Sequence, residues 1–327
     1  MNKKYDVYGL GNALVDMEFT LTIERLEQLG IEKGVMTLMD EERQHHVMAQ
    51  LSSDEPAKTS GGSAANTIVA ASQLGAKTFY SCRVADDELG NFYIQDLVKC
   101  GVAVDATTIK SDHGITGKCL VLVTPDADRT MNTFLGISAE FTEEELVPTA
   151  IADSKYLYAE GYLVTGEGAK AAAIKAMELA RKSDVLTSFS LSDANMVKFF
   201  RDGLLDIIGP GVDLLFANES EALGMAQTDS FEEAIVYLKT IAKTFAVTRG
   251  PNGSVLFDGN QLIEIKSYPV EAVDTVGAGD MYAGALLYGL THGLDFAQAG
   301  DLASRASSAI VNRFGARMTT AELQGLL

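Results

Sequence analysis

The stretch Val273-Asp-Thr-Val-Gly-Ala-Gly-Asp280 runs directly into Met281–Leu290, a segment with the periodicity of a helix. The three small residues at 277–279 would let the backbone approach a ligand closely and direct its N–H groups at one point. At the N-terminus of a helix, such amides form a site for an anion. Asp280 falls in the same first turn, where its carboxylate could accept a proton from an attacking hydroxyl. The alternative is that Asp280 only complements the helix dipole.

Short apolar runs that suit buried parallel strands recur along the rest of the chain. They lie at Tyr5–Leu10, Thr78–Cys82, Lys155–Ala159, Val185–Phe189, Asp213–Ala217 and Phe245–Thr248. Segments with helix periodicity alternate with them at Ala64–Leu74, Ala169–Arg181 and Phe231–Lys243, and Ser230 with Glu233 forms a capping-box pattern before the last. The alternation predicts an α/β fold, in which helices cover both faces of a mainly parallel sheet.

Two regions interrupt this alternation. Leu14–Leu21 with Val35–Met39, and Lys118–Thr124 with Arg129–Leu135, are predicted as two strand pairs. A small β-sheet lid, formed by about residues 14–40 and 112–136, would contain both pairs, and the remainder of a single domain spanning 1–327 would form the large α/β part. The alternative is that these strands lie at the edges of the main sheet.

The overall charge limits the classes of partner. The 327 residues carry a formal net charge of −19 at pH 7, which would repel nucleic-acid phosphates and anionic lipid surfaces. No signal-peptide core is evident, and Cys82, Cys100 and Cys119 lack the spacing of a zinc site or a disulfide framework. We therefore expect a cytoplasmic protein that binds a small molecule and has no nucleic-acid or membrane partners. It would be a monomer or a homodimer.

Three further motifs place polar groups beside glycines or at strand ends. Gly61-Gly-Ser-Ala-Ala-Asn66 could bring backbone and an amide side chain to a hydroxylated ligand, or could simply cap a helix. Asn218-Glu-Ser-Glu221 could hold Mg²⁺ through water from one helical turn, or be an exposed helix start. Thr248-Arg-Gly-Pro-Asn-Gly253 combines a strand-end hydroxyl with a glycine turn, which ordinary loops also contain.

Together with the segment Asp274–Asp280, these motifs resemble, in the same order, the signatures of the ribokinase-like (PfkB) family of carbohydrate and nucleoside kinases. The resemblance implies a ribokinase-like α/β fold with a small β-sheet lid. It also implies in-line phosphoryl transfer from ATP with Mg²⁺, and leaves the need for a monovalent cation open. Asp280 would be the catalytic base, and the phosphate charge would be held at Gly277, Ala278 and Gly279.

The resemblance also implies binding roles for other positions. The substrate-binding positions are Asn12, Asp16, Gly61, Gly62, Ser63, Asn66 and Arg129. The ATP-binding positions are Asn218, Thr248, Gly250, Gly253, Asp274 and Thr275, and the Mg²⁺ positions are Glu221, acting through water, and Asn218.

Two segments resemble the adenosine kinase branch more than ribokinase or fructokinase: Gly11-Asn-Ala-Leu-Val-Asp16 and the sequence from Pro125 to Gly136. A carboxylate at Asp16 that accepts from two adjacent hydroxyls would suit the cis-diol of ribose. Without the family context, such an acid is typical of the surface of an edge strand. We therefore expect a kinase for the primary hydroxyl of a nucleoside, adenosine-like preferred. The alternatives are a kinase for a sugar or sugar phosphate, and a nucleoside-binding protein without turnover.

Three lid side chains have two interpretations each. Arg129 could meet the transferring phosphoryl group, or be a solvated surface residue. Phe19 and Phe134 could stack on a base, or pack only within the lid.

Overall fold

The computed structural model describes residues 3–34, 36–51, 56–125 and 129–327 of the chain. Their strands are β1 (Tyr5–Leu10), β2 (Leu14–Thr20), β3 (Met36–Leu38), β4 (Ala57–Gly61), β5 (Thr78–Ser81), β6 (Val84–Ala85), β7 (Val102–Ala103), β8 (Lys110–Ser111), β9 (Gly117–Val123), β10 (Arg129–Phe134), β11 (Ser154–Glu160), β12 (Leu186–Ser190), β13 (Val212–Asn218), β14 (Ala242–Thr248), β15 (Ser254–Phe257) and β16 (Leu262–Ile265). Their α-helices are α1 (Ile23–Gln28), α2 (Glu41–Leu51), α3 (Ser63–Leu74), α4 (Glu88–Lys99), α5 (Ala106–Ile109), α6 (Pro148–Ala152), α7 (Glu167–Lys182), α8 (Ala194–Ile208), α9 (Glu219–Ala226), α10 (Phe231–Ile241), α11 (Ala278–Thr291), α12 (Phe296–Val311) and α13 (Thr320–Gln324).

The main sheet has the predicted α/β architecture. Within the described residues its strand order is β16-β15-β14-β13-β12-β11-β1-β5-β7. The pairs from β7 to β14 are parallel, whereas β15 and β16 join as an antiparallel edge. All six apolar runs identified in the sequence form strands of this sheet, which confirms that continuous apolar runs here mark strands buried on both faces.

Helices cover both faces of the main sheet. One face packs α3, α11 and α12 against side chains that include Val7 and Phe216. The other packs α7, α8 and α10 against side chains that include Tyr8 and Leu215. Adjacent residues of one strand enter opposite cores because side chains alternate along a strand. No helix in the described ranges is long and apolar enough to cross a lipid bilayer.

The order in which successive strands are placed in the main sheet reverses at β1. From β1 the chain first adds β5 and β7 on one side, and later adds β11 to β14 on the other. The loops that follow two such neighbouring strands diverge, so a crevice opens at their carboxyl ends. Asn12 follows β1 and Glu160 ends β11, which brings both residues to this crevice.

A separate small sheet has the strand order β3-β10-β9-β2-β4 in the described residues. The strands predicted outside the α/β alternation therefore form their own sheet and do not lie at the edges of the main sheet. The predicted pairing of β9 with β10 is confirmed and is antiparallel. The predicted pairing of Leu14–Leu21 with Val35–Met39 is wrong, because β2 pairs with β9 and β4, while β3 pairs with β10 at the far edge. Helix α1 separates β2 from β3 along the chain, so no tight turn forces them together.

Two local predictions for α10 need correction. The helix ends at Ile241 because Ala242 already begins β14. Ser230 accepts from the Glu233 amide at 3.3 Å, as a capping box requires. The Glu233 carboxylate does not complete the box, because it accepts from the Thr228 hydroxyl instead.

Helices α3 and α11 approach closely at Gly284 of α11. A Cβ atom there would lie 2.5 Å from the carbonyl oxygen of Thr67 and 2.7 Å from the Cβ of Ala70, both in α3. The absence of a side chain at Gly284 therefore sets the distance between the two helices. Asp280 lies one turn earlier on α11, so this distance also controls the position of Asp280 relative to the start of α3.

We predict that Gly284→Ala separates α3 from α11, lowers the free energy of unfolding by about 1–3 kcal/mol and also lowers turnover. Gly289→Ala is the matched control, because its Cβ would meet Ala299 of α12 at 2.8 Å and would leave the contact with α3 unchanged. Chemical denaturation and turnover measured on both folded variants distinguish the two effects. Equal turnover in the two variants would contradict a role for this contact in positioning Asp280.

Candidate active site

A cavity of about 450 Å³ lies where the carboxyl ends of the main-sheet strands face the small sheet. Its lining includes residues from most of the motifs singled out in the sequence. The sequence-predicted residues that line it are Asn12, Asp16, Gly62, Ser63, Asn66, Asn218, Glu221, Thr248, Gly277, Gly279 and Asp280. The fold therefore joins segments from both ends and the middle of the chain in one site.

Asp280 receives hydrogen bonds from the first two turns of α3. The Ser63 hydroxyl donates to Oδ1 of Asp280 at 2.6 Å, and the Asn66 side-chain amide donates to Oδ2 at 3.1 Å. Burial at the floor of the cavity raises the pKa of Asp280 to about 6, although both hydrogen bonds and the nearby Arg317 act to lower it. These contacts orient the carboxylate into the cavity, so helix-dipole complementarity alone does not account for its environment.

Glu160 is a buried carboxylate that the sequence motifs did not reveal. Its Oε1 accepts from the backbone amide of Asn12 at 2.7 Å, and its Oε2 accepts from the backbone amide of Ala64 at 2.6 Å. It thereby joins the loop after β1 to the N-terminus of α3. Burial raises the pKa of Glu160 to about 7, and the negative charge of Asp280 adds to this effect. An acid at the end of a buried apolar strand was the available signal, since such strand ends form the crevice.

Asp16 lies on β2, an interior strand of the small sheet, and its side chain lines the cavity. Its position therefore differs from that of the surface acid on an edge strand considered as the alternative. Gly61 lies directly against this carboxylate, and a Cβ there would overlap it. Asn12 is held from two sides, because its carbonyl accepts from the Tyr80 hydroxyl at 3.1 Å and its Oδ1 accepts from the Ser138 hydroxyl at 3.3 Å.

The small sheet presents a mainly apolar surface to the cavity beyond Asp16. Its apolar lining residues are Leu14, Leu38, Cys119 and Met131, and Leu135 lines the cavity directly after β10. Phe19 is buried in the core and does not line the cavity, which agrees with its packing interpretation. Phe134 is half-buried and does not line the cavity either. Arg129 begins β10, but its side chain lies outside the described part of the structure.

Residues 35–322 match the pfkB family of carbohydrate kinases. The chain belongs to this family. Its fold is similar to that of a probable sugar kinase from Rhizobium etli CFN 42, with 34% identity, a TM-score of 0.89 and coverage of 99% of this chain and 100% of that one. It is equally similar to adenosine kinase from Sinorhizobium meliloti, with 34% identity, a TM-score of 0.88 and 98% coverage of each chain.

A ribokinase from Staphylococcus aureus (strain COL) is 27% identical over 264 residues, which span 79% of this chain and 83% of that protein. This pfkB kinase thus resembles proteins named for a nucleoside and proteins named for sugars. Family membership establishes an ATP-using kinase with an alcohol group as acceptor, and it leaves the identity of that alcohol open.

The start of α11 in this kinase has two different glycines. Gly277 adopts a left-handed conformation with φ of 77°, and a Cβ there would lie 2.7 Å from the Cβ of Ala316. Gly279 faces open space in the cavity, and a Cβ added there would have no atom within 4 Å outside its own helix turn. The amide of Ala278 donates to the Thr275 carbonyl at 3.2 Å, and Ala278 does not line the cavity. Of the three small residues, Gly277 and Gly279 therefore face the cavity, and the predicted anion site would be formed there.

The predicted ATP-binding residues separate into two groups. Asn218 and Thr248 line the cavity, whereas Gly250, Gly253, Asp274 and Thr275 lie outside its lining. Asp274 is buried, and its carboxylate accepts from the amides of Val276 and Gly315, each at 3.0 Å. These contacts hold the glycine turn against the segment that follows α12. ATP roles for both groups stay predictions.

Asn218 and Glu221 form a complete capping box at the start of α9. The Glu221 amide donates to Asn218 Oδ1 at 2.8 Å, and the Glu221 carboxylate accepts from the backbone and side-chain amides of Asn218 at 2.9 and 2.7 Å. Burial raises the pKa of Glu221 to about 7. A cation in the cavity would favour the ionised carboxylate, and these oxygen donors suit Mg²⁺. Among the described residues, no group of three or more His, Cys, Asp or Glu side chains could hold a metal ion.

We predict that Gly279→Ala lowers turnover while leaving the melting temperature near that of the wild type, because the added methyl group would enter the space where a phosphate would bind without a clash against the protein. Gly277→Ala should lower both, since it adds backbone strain and a clash with Ala316. Turnover and thermal melting of the two variants provide the comparison. Wild-type turnover in Gly279→Ala would exclude this position from the phosphate site.

Proposed function

We propose that this kinase transfers the γ-phosphoryl group of ATP to the primary hydroxyl of a nucleoside, adenosine-like preferred, giving the 5′-monophosphate and ADP. The observation that carries the proposal is that Asp280 lines one cavity together with the pair Asp16 and Asn12 and with Gly277 and Gly279. A ribose bound by the first pair could direct its 5′-hydroxyl towards Asp280.

In the proposed reaction, Asp280 accepts the proton of the substrate's 5′-hydroxyl. At the same time the 5′-oxygen bonds to the γ-phosphorus of ATP, and the bond between that phosphorus and the leaving oxygen of ADP breaks. The backbone at Gly277 and Gly279 holds charge on the transferring group. Mg²⁺ bound with ATP would neutralise phosphate charge, with Glu221 and Asn218 holding it through water. Segments 14–40 and 112–136 would act as a lid that excludes water from the reaction.

The apolar surface of the small sheet favours a nucleoside over a free sugar. Leu14, Leu38 and Met131 lie beyond Asp16 in the cavity. A sugar with hydroxyls around its whole ring would lose water against these side chains without gaining hydrogen bonds. A nucleobase has flat apolar faces that can be buried there. The similarity to the Sinorhizobium adenosine kinase supports the same substrate class.

We also propose a cytoplasmic location. Cys82 and Cys100 form no disulfide, as is usual in a reducing compartment, and the net charge of −19 disfavours anionic surfaces.

The substrate class is tested by measuring ADP release with adenosine, other nucleosides, ribose, fructose and fructose 6-phosphate. We expect the highest kcat/KM with adenosine. Asp16→Ala should weaken nucleoside binding strongly and leave ATP binding nearly unchanged. Glu18→Ala is the matched control, because it removes the next acid on the same face of β2 outside the cavity lining. A preference for a free sugar would refute the nucleoside, and equal losses of nucleoside and ATP affinity in calorimetry would refute the role of Asp16.

The catalytic base is tested by its pH dependence. A base with a pKa of about 6 must be deprotonated to act, so kcat/KM should rise with pH through that value. The Ser63 hydrogen bond lowers the pKa of Asp280, so Ser63→Ala should move this rise to higher pH. Titration of ATP affects both proteins equally and cancels in the comparison.

Asp280→Asn should lower turnover by about 10²–10⁴-fold, because the amide cannot accept the proton. Near-normal turnover in this variant, or an unmoved pH profile in Ser63→Ala, would contradict Asp280 as the base.

A further inference from the structure

Arg317 lies between α12 and α13, and its mostly buried guanidinium joins parts of the protein that are distant in sequence. Its Nε donates to Oδ1 of Asn66 at 3.0 Å. Its Nη1 donates to the Ser60 hydroxyl at 2.8 Å and lies 3.2 Å from Oδ2 of Asp96. Arg317 does not line the cavity, so it reaches the site through Asn66.

The chemistry of arginine determines which way Asn66 faces. A guanidinium has only hydrogen-bond donors, so it requires the carbonyl oxygen of the Asn66 side chain as its partner. The amide nitrogen must then point the other way, where it donates to Oδ2 of Asp280 at 3.1 Å. If Asn66 rotated by half a turn, its oxygen would face the Asp280 carboxylate and repel it. Arg317 therefore disfavours the wrong orientation of this amide.

Asp96 and Ser60 hold Arg317 in place. Oδ2 of Asp96 accepts from the Ser60 amide at 3.1 Å and from the Ser60 hydroxyl at 2.7 Å, in addition to pairing with Arg317. Ser60 belongs to β4 of the small sheet and immediately precedes Gly61, which contacts Asp16. The same network thus connects the strand beside the proposed ribose-binding carboxylate to the proposed base.

We propose that Arg317 is a positioning residue, which fixes the orientation of the Asn66 amide so that its nitrogen donates to Asp280. The proposal rests on the proposed function, since it requires Asp280 to be the base. Asp96 keeps both Ser60 donors when Arg317 is replaced, so the loss of Arg317 does not leave that carboxylate without partners.

The test begins with Arg317→Met, which keeps an unbranched side chain and removes every donor. We expect kcat to fall roughly 10- to 100-fold, because a reacting group is displaced without loss of its neighbours. KM for ATP should change little. Arg313→Met is the matched control, because Arg313 lies in the same segment and pairs with Glu322 at 2.7 Å, outside the cavity. It should retain the wild-type kcat.

A double-mutant cycle with Asn66→Ala separates positioning from a purely structural role. If Arg317 acts through Asn66, adding Arg317→Met to Asn66→Ala should lower kcat no further. If Arg317 only stabilises the fold, the two losses in kcat should multiply, or only the melting temperature should fall. If Arg317→Met does not fold, Arg317→Lys enters the same cycle, since its ammonium can keep the ion pair with Asp96 but lacks the planar guanidinium fork.

Wild-type kcat in a folded Arg317 variant, or losses that multiply in the cycle, would overturn the proposal. Asp280→Asn distinguishes this failure from failure of the proposed function. An inactive Asp280→Asn beside a fully active Arg317→Met would refute only the role of Arg317, whereas an active Asp280→Asn would refute the base itself.

Discussion

The site depends on one interaction at the cavity, the pair of hydrogen bonds that α3 donates to the Asp280 carboxylate of α11. Ser63 and Asp280 are 217 positions apart in sequence, yet their side-chain oxygens lie 2.6 Å apart. Such a contact requires the two helices to approach closely and in register. The missing side chain at Gly284 permits the approach, and Glu160 holds the start of α3 by accepting from the Ala64 amide.

The electrostatics of the cavity follow from burying acids in an acidic protein. Burial raises the pKa values of Asp280, Glu160 and Glu221 to about 6, 7 and 7. A cation or a hydrogen-bond donor that comes near would therefore stabilise the ionised form of each acid and lower its pKa. Arg317 supplies a positive charge near Asp280, and Mg²⁺ bound with a nucleotide would offset part of the charge of the phosphates. The high negative charge of the chain is thus compatible with a phosphate-handling site, because local donors outweigh the distant charge.

The two sheets contribute different chemistry to the same space. The main sheet supplies strand ends, where polar groups and helix N-termini converge, as expected at a point where strand order reverses. The small sheet supplies Asp16 and an apolar surface around Met131. In the proposed function, phosphoryl transfer would depend mainly on the first contribution and the choice of acceptor alcohol mainly on the second. Such a division would allow one family to include kinases named for adenosine and for sugars.

The sequence by itself determined some of the elements and the chemistry of the motifs. Continuous apolar runs predicted six of the nine described strands of the main sheet, and the glycine-rich segment before Asp280 predicted the start of α11, because both signals are local in the chain. Only the tertiary structure decided that β2 pairs with β9 and β4 rather than β3, since periodicity reveals which face of a strand is buried but not which partner it meets. For the same reason Glu160 and Arg317 escaped prediction: each acts through contacts with residues at least 96 positions away, and no local pattern encodes such distances.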